Sequence, residues 1–342
     1  MSKPPDDVKS SASSPPRRVA HGLPVLTLKP GHVQPLWAGH PWVFAQAVAR
    51  WDGKPEPGAE VVVCDARGEP LGRALCSPSS AIVARVFSRD AECPIGAGLI
   101  QQRLELAAAR RRNLGLPSAS TTGLRAVHAE GDDLPGLIVD RLGDVLALQW
   151  GTIGVWQRRE QILELLERQY APRAIVDRSS ARTAQQEGFV APPALLRGDQ
   201  TLSAFEFLER VLRFRIPLSL GQKTGFYFDQ RPLRARIEEL SRGRRVLDAY
   251  CYTGSLALAA ARGGASSVVA VDTSGPALAV GAENAADNGL GGRIHFVEAD
   301  ALAELGRARA EFDLVLCDPP KLAPGRAARG RASEAMRRIA RN

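Results

Sequence analysis

The feature that most restricts the fold lies between Val246 and Cys317, where short apolar runs alternate with helical ones. Val246–Tyr250, Ser267–Val271, Arg293–Val297 and Phe312–Cys317 read as strands, and Ser255–Arg262 and Pro276–Asn288 as helices. Parallel strands need a crossover long enough to hold a helix, and such βαβ units are right-handed, so the alternation predicts a parallel sheet covered by helices. Ligands of open sheets of that kind sit beyond the carboxyl ends of the strands.

Those strand ends carry acidic side chains. The first runs into DAYCYTGS, with Asp248 at the tip and Gly254 opening the next helix, so backbone N–H groups there can face a ligand. The second ends in VAVDTS, which puts Asp272 24 residues after Asp248, about where a carboxylate accepts hydrogen bonds from ribose hydroxyls. Capping of the following helix, by Asp272, Thr273 or Ser274, is the competing reading. The third ends in VEAD, where Asp300 suits an adenine amine. Neither a G-x-G-x-x-G fingerprint nor a Walker A sequence is present. Carboxylates without phosphate-binding machinery favour a nucleoside lacking phosphate. S-adenosylmethionine fits, its sulfonium attracted by a nearby carboxylate such as Asp248.

The fourth strand brings Asp318-Pro319-Pro320-Lys321. Each proline fixes its own φ, lacks an N–H and pushes the preceding residue to extended geometry, so this turn is stiff. A stiff turn there can hold Asp318 and backbone carbonyls against a flat group, such as a base lifted out of its stack. The plainer reading is a turn that ends the strand.

Upstream the pattern changes. Between Leu23 and Arg89 short strands are broken at Pro30-Gly31, Pro57-Gly58 and Gly68, as in a small β-barrel-like module. Ile100–Gly115 reads as a helix, and residues 124–215 as strands around one strong helix, VWQRREQILELLERQY. The expected organisation is a disordered tail over 1–21, a β-rich domain over 22–92, an α+β middle domain over 98–215 and the parallel-sheet domain over 216–342. There is no run of 18 apolar residues and no signal-peptide core. Cys64, Cys76, Cys93, Cys251 and Cys317 form no C-x-x-C pair, so reduced thiols, a cytoplasmic location and no metal are expected. The net charge is +8, and only six of the 45 basic residues are Lys. Arginine excess suits a polyanion because the guanidinium fork donates two parallel hydrogen bonds, although a GC-rich genome gives the same bias.

LKPGHVQPLWAGHPWVFAQAV (28–48), AEGDDLPGLIVDR (129–141), GQKTGFYFDQR (221–231), VLDAYCYTGSLALAAARGGASSVVAVDTS (246–274) and DLVLCDPPK (313–321) occur in this order. Together they resemble the bacterial class I S-adenosylmethionine-dependent 23S rRNA (cytosine-5)-methyltransferases with an N-terminal PUA domain. The resemblance implies an α/β, Rossmann-like methyltransferase sheet, preceded by an α+β middle domain and a small β-rich PUA-like domain that grips RNA. It implies S-adenosyl-L-methionine as cofactor and 23S rRNA, naked or partly assembled, as partner. Gln222, Lys223, Thr224, Gly225, Tyr227, Asp229, Gln230 and Arg231 would form a lid and wall over the cofactor. Asp248, Tyr250, Tyr252, Thr253 and Gly254 would form its loop, Asp272 with Ser274 would hold the ribose, and Asp300 would approach the adenine. Asp318, Pro319, Pro320 and Lys321 would line the target-base site, and Lys29, His40, Trp42 and Arg73 would touch RNA.

Methylation at C5 of a pyrimidine requires prior attack on C6, normally by a thiolate. Cys64, Cys76 and Cys93 fall in or near the first domain, Cys251 faces the donor, and Cys317, out of phase with Asp318, is expected to point into the sheet. None is well placed. In the family the nucleophile comes from a Ser-Cys-Ser-like segment after a later strand, and four strands fall short of the five or six usual in a sheet. A chain shortened at its C-terminus by roughly 50 to 60 residues is therefore expected, its nucleophilic cysteine beyond residue 342, with weak cofactor binding and no turnover. Two alternatives compete: methylation of an exocyclic amine (N6 of adenine or N2 of guanine), which needs no cysteine, and a non-catalytic RNA-binding protein.

Overall fold

The structure, a computed structural model, describes residues 22–190, 194–220, 226–307 and 311–320, together with 330, 333, 334 and 337. The expected tail over 1–21, and Gln222, Lys223, Thr224, Gly225 and Lys321, lie outside the described residues.

Val61, Val62, Val63 and Cys64 are buried in succession. Successive strand side chains point to opposite faces, so such a run demands cover on both sides. It belongs to a six-stranded sheet made of β1 (Val25–Leu28), β2 (Trp42–Phe44), β3 (Val48–Asp52), β4 (Glu60–Cys64), β5 (Pro70–Cys76) and β6 (Ile82–Ser88), in the order β2-β6-β5-β4-β1-β3. A one-turn helix, α1 (Gln34–Trp37), joins β1 to β2.

The long helix α2 (Ala97–Asn113) leads into a five-stranded sheet of β7 (Gly123–His128), β8 (Leu137–Leu142), β9 (Val145–Trp150), β10 (Ala174–Asp177) and β11 (Leu195–Gly198), in the order β11-β10-β9-β8-β7. Leu146, Leu148 and Trp150 face the helices, whereas Val145 and Ala147 on the same strand join the core of the C-terminal half. The single helix expected over residues 155–170 is two, α3 (Ile153–Gln157), capped by Thr152, and α4 (Arg159–Tyr170). The break at Arg158 has a tertiary cause. Its guanidinium donates to the carbonyls of Ile95 and Gly58 and to Glu60 of the first sheet, which overrides local helix propensity. A short helix, α5 (Ala181–Glu187), follows β10.

β12 (Ala204–Glu209) and β13 (Leu212–Pro217) form a separate two-stranded hairpin, and the expected division after residue 215 falls inside β13. Alternation puts Phe205, Phe207, Phe214 and Ile216 on one buried face. Phe207 stacks on Phe214 at 5.5 Å and meets Phe226 and Phe228 edge-on, so the hairpin belongs to the C-terminal core.

Helix α6 (Arg231–Leu240) then opens the parallel sheet: β14 (Arg245–Ala249), α7 (Ser255–Arg262), β15 (Ser267–Asp272), α8 (Gly275–Asp287), β16 (Ile294–Glu298), α9 (Ala301–Arg307) and β17 (Leu314–Cys317). All pairs are parallel and the order is β16-β15-β14-β17. Asn284 of α8 and Asn288 just past its end cover the free edge of β13. Their amides exchange hydrogen bonds with the backbones of Arg215 and Arg213 at 2.7–3.2 Å. The match is geometric, since four helical residues rise about 6 Å and two strand residues about 6.8 Å.

Candidate active site

Strand order reverses between β14 and β17, and open α/β sheets bind ligands at that point. A cavity of about 300 Å³ opens there, lined from the loops after all four strands and from residues 226–230. Its described lining includes Asp272, Asp300 and Asp318 and contains neither Lys nor Arg.

The loop after β14 is strained. Tyr250 has φ 64°, Tyr252 φ 51° and Gly254 φ 69°. Left-handed backbone at bulky residues costs on the order of 1–3 kcal/mol each and persists only where the surroundings impose it. Asp272 is part of what imposes it here. One of its carboxylate oxygens accepts from the Tyr252 N–H at 2.9 Å and the other from the Ser274 N–H at 3.0 Å. Ser274, not Asp272, caps α8 with its hydroxyl, accepting from the Ala277 N–H. Asp300 accepts from the Ala303 N–H at 2.8 Å at the start of α9 and still lines the cavity. Gln230 donates to Asp318, which ties residues 226–230 to the Asp-Pro-Pro turn. Tyr227 packs edge-on to Tyr252 at 6.4 Å, and burial, followed by the charge of Asp318, raises its pKa.

Of the residues expected here, Tyr227, Gln230, Tyr250, Tyr252, Thr253, Asp272, Ser274, Asp300, Asp318 and Pro320 line the cavity. Others do not. Asp248 is 1% exposed and accepts from the Ala257 N–H at 2.9 Å, so it supports the loop from below instead of meeting a ligand. Burial, with the charges of Asp318 and Asp272, raises its pKa to about 7. Gly254 lies under the loop, where an added Cβ would come within 2.8 Å of the Phe296 ring. Arg231 points away: it clasps Glu209 with two nitrogens and donates to the Gly123 carbonyl, joining α6 to the hairpin and the middle sheet. Asp229 is exposed outside the cavity, close enough to Arg125 for its charge to be felt there. Pro319 is half-buried and not part of the lining. The sequence reading missed Phe226, Ser255 and Leu256 in the wall, although Phe226 stands in the flagged GFYF run.

The cysteines divide as follows. Cys251 lines the wall, but burial first, and then Asp248 and Asp272, push its thiol far above the ordinary range. Cys317 is exposed and does not point into the sheet as expected; among the described residues β17 is an edge strand, and the face carrying Val315 and Cys317 is uncovered. Cys64 and Cys76 are buried in the first sheet and Cys93 follows it.

The candidate RNA contacts separate as well. Lys29 and His40 are exposed, Lys29 donating to the Gln46 carbonyl and His40 accepting from the Trp42 N–H. Trp42 donates from Nε1 to Glu130 at 2.8 Å, so it joins the first sheet to the turn between β7 and β8. Arg73 is paired with Glu60, which also holds Arg158, and a guanidinium so engaged is not free for phosphate. No helix among the described residues is long and apolar enough to cross a membrane, and no group of three metal-ligating side chains occurs among them.

Comparison with known proteins matches this geometry. Residues 26–89 match the PUA-like domain family, and residues 190–342 the S-adenosylmethionine-dependent methyltransferases. The fold is shared with a putative S-adenosylmethionine-dependent methyltransferase from Streptococcus mutans, at 22% identity and TM-score 0.74, over 86% of this chain and 77% of that one. It is also shared with a putative methyltransferase complexed with SAH, at 22% identity and TM-score 0.76, over 88% and 77%. The protein is thus an S-adenosylmethionine-dependent methyltransferase with a PUA-like domain. The ribosomal RNA large subunit methyltransferase I of Erwinia tasmaniensis is 38% identical over 300 residues, 86% of this chain and 76% of its own, and that of Shewanella denitrificans is 37% identical over 303 residues, 87% and 76%. The chain belongs to the ribosomal RNA large subunit methyltransferase I family.

Proposed function

We propose that the protein transfers the methyl group of S-adenosyl-L-methionine to C5 of a cytosine in large-subunit rRNA, in the cytoplasm, with RNA gripped by the PUA-like domain. The observation that carries the cofactor half is the charge of the strand-end cavity: three carboxylates and no cationic side chain among its described lining residues. Such a lining repels phosphate and attracts a sulfonium. Two backbone N–H groups hold the Asp272 carboxylate and Asp300 and Asp318 share its cavity, which supports a reading in which Asp272 would take the ribose hydroxyls, Asp300 the adenine amine and the Asp318-Pro319-Pro320 turn a base. The rRNA half rests on the printed names of the relatives and on the resemblance in the sequence. Lys223, Thr224, Gly225 and Lys321 complete the lid and base site in this reading.

A C5 mechanism needs an accessible thiolate, and burial raises the thiols of both Cys251 and Cys317, so neither is poised as that nucleophile. The same observation supports a second reading, transfer to an exocyclic amine held by Asp318, which requires no thiolate. Deleting the gene in its host and digesting the large-subunit rRNA to nucleosides separates the two. Loss of one 5-methylcytidine, restored on complementation, is expected; loss of an N-methylated purine instead would refute the C5 assignment.

A further inference from the structure

A second cavity, of about 490 Å³, lies where the first sheet meets the middle one. That is within the range of sites for small organic groups. Its floor is the β8–β9 pair: Ile138 and Gln149 are partners across the strands, and Gln149 shares the face of Val145 and Ala147, away from α2 and α4. Trp42 supplies an apolar wall, its Nε1–H fixed on Glu130, and Arg85, Ser180 and Thr183 add polar groups.

Three observations distinguish this cavity from a gap in packing. Gln149 is half-buried, and its amide makes no hydrogen bond among the described residues, so two donors and an acceptor stand available. Arg85 is 9% exposed, yet among the described residues its guanidinium is held only by long contacts, 3.4 Å to Ser77, 3.5 Å to the Ile82 carbonyl and 3.6 Å to Glu187. A desolvated cation so loosely held is short of compensating partners. The cavity also neighbours the cofactor cleft. Arg178 lines it, donates to the carbonyls of Leu218 and Leu220, and its charge acts on the hydroxyl of Tyr252 in the cleft wall.

We propose that this cavity receives an unstacked nucleobase of the RNA, adjoining the nucleotide presented to the methyl donor. The inference rests on the RNA-methyltransferase reading above and extends it to a second nucleotide. Single-stranded RNA is read by splaying bases against aromatic and guanidinium groups and hydrogen-bonding their edges. Gln149 matches a base edge that carries both a donor and an acceptor, and the free lone pairs of Glu130 suit an exocyclic amine. The apolar side of the base would rest against Trp42.

Binding of an unmodified large-subunit rRNA transcript and of S-adenosylhomocysteine is measured for the protein and for Gln149→Leu and Gln149→Glu. Both variants are expected to bind RNA about tenfold more weakly or worse, as for loss of a polar contact, with Gln149→Glu the weaker because it adds an anion. Their S-adenosylhomocysteine affinity should stay within about twofold. RNA affinity unchanged in both variants would overturn the subsite, as would parallel loss of both ligands. An unaltered protein that binds the transcript no better than unrelated RNA of equal length would overturn the RNA reading itself.

Discussion

Two carboxylates in this molecule are equally buried and differently served. Glu209 and Asp248 are each 1% exposed. Glu209 accepts four hydrogen bonds from two guanidiniums, those of Arg231 and Arg234, at 2.8–3.0 Å. Asp248 accepts one, from the Ala257 N–H, and has Asp272 and Asp318 as its charged neighbours. The first is a closed staple between hairpin and helix. The second is an acid whose ionisation the fold opposes, directly below the loop that shapes the cofactor cleft. Charge is thus matched at this staple and left unmatched at the site, as expected where a cationic ligand is to supply what is missing.

The largest effect that would break this contrast is at the staple. Glu209→Gln leaves two guanidiniums, one of them 2% exposed, without their counter-ion, and should lower unfolding free energy by about 3–5 kcal/mol in a denaturant titration. A loss below about 1 kcal/mol would mean that the cluster is no staple. Next is the loop. Gly254→Val combines a left-handed backbone with a collision on Phe296, and should cost about 1–3 kcal/mol and weaken S-adenosylhomocysteine binding. Retained affinity would show that the loop shape is not needed. Third is the pH response of Asp248. Burial raises its folded pKa from the ordinary aspartate value of about 3.9 to about 7, so its contribution to stability is present below about 3.9 and lost as pH rises toward 7. The stability of the protein relative to Asp248→Asn should therefore fall across that window and level off above it. Parallel pH profiles would contradict the assignment.

The strand–helix alternation was enough to foresee the parallel sheet, and acidic strand tips were enough to locate Asp272, Asp300 and Asp318 at one rim. Side-chain direction was less legible. Asp248 and Arg231 stand in the right segments and point away from the cavity, because spacing along the chain does not reveal what Ala257 or Glu209 offers on the other side. Glu209, Asn284 and Asn288 went unread for the same reason: their partners lie 22 to 75 residues away in sequence. The arginine excess misled in part. Arg73, Arg158, Arg231 and Arg234 are occupied by carboxylates within the fold, so composition overstated the guanidinium surface open to RNA.

The central claim is that the acidic rim of the parallel sheet holds the methyl-donor nucleoside through Asp272. Calorimetric titration of S-adenosylhomocysteine into the protein and into Asp272→Ala tests it most directly. One site in the protein and binding weaker by about tenfold or more in the variant, with a smaller loss for Asp300→Ala, is the expected result. Equal affinity for the protein and Asp272→Ala would place the nucleoside elsewhere and contradict the claim.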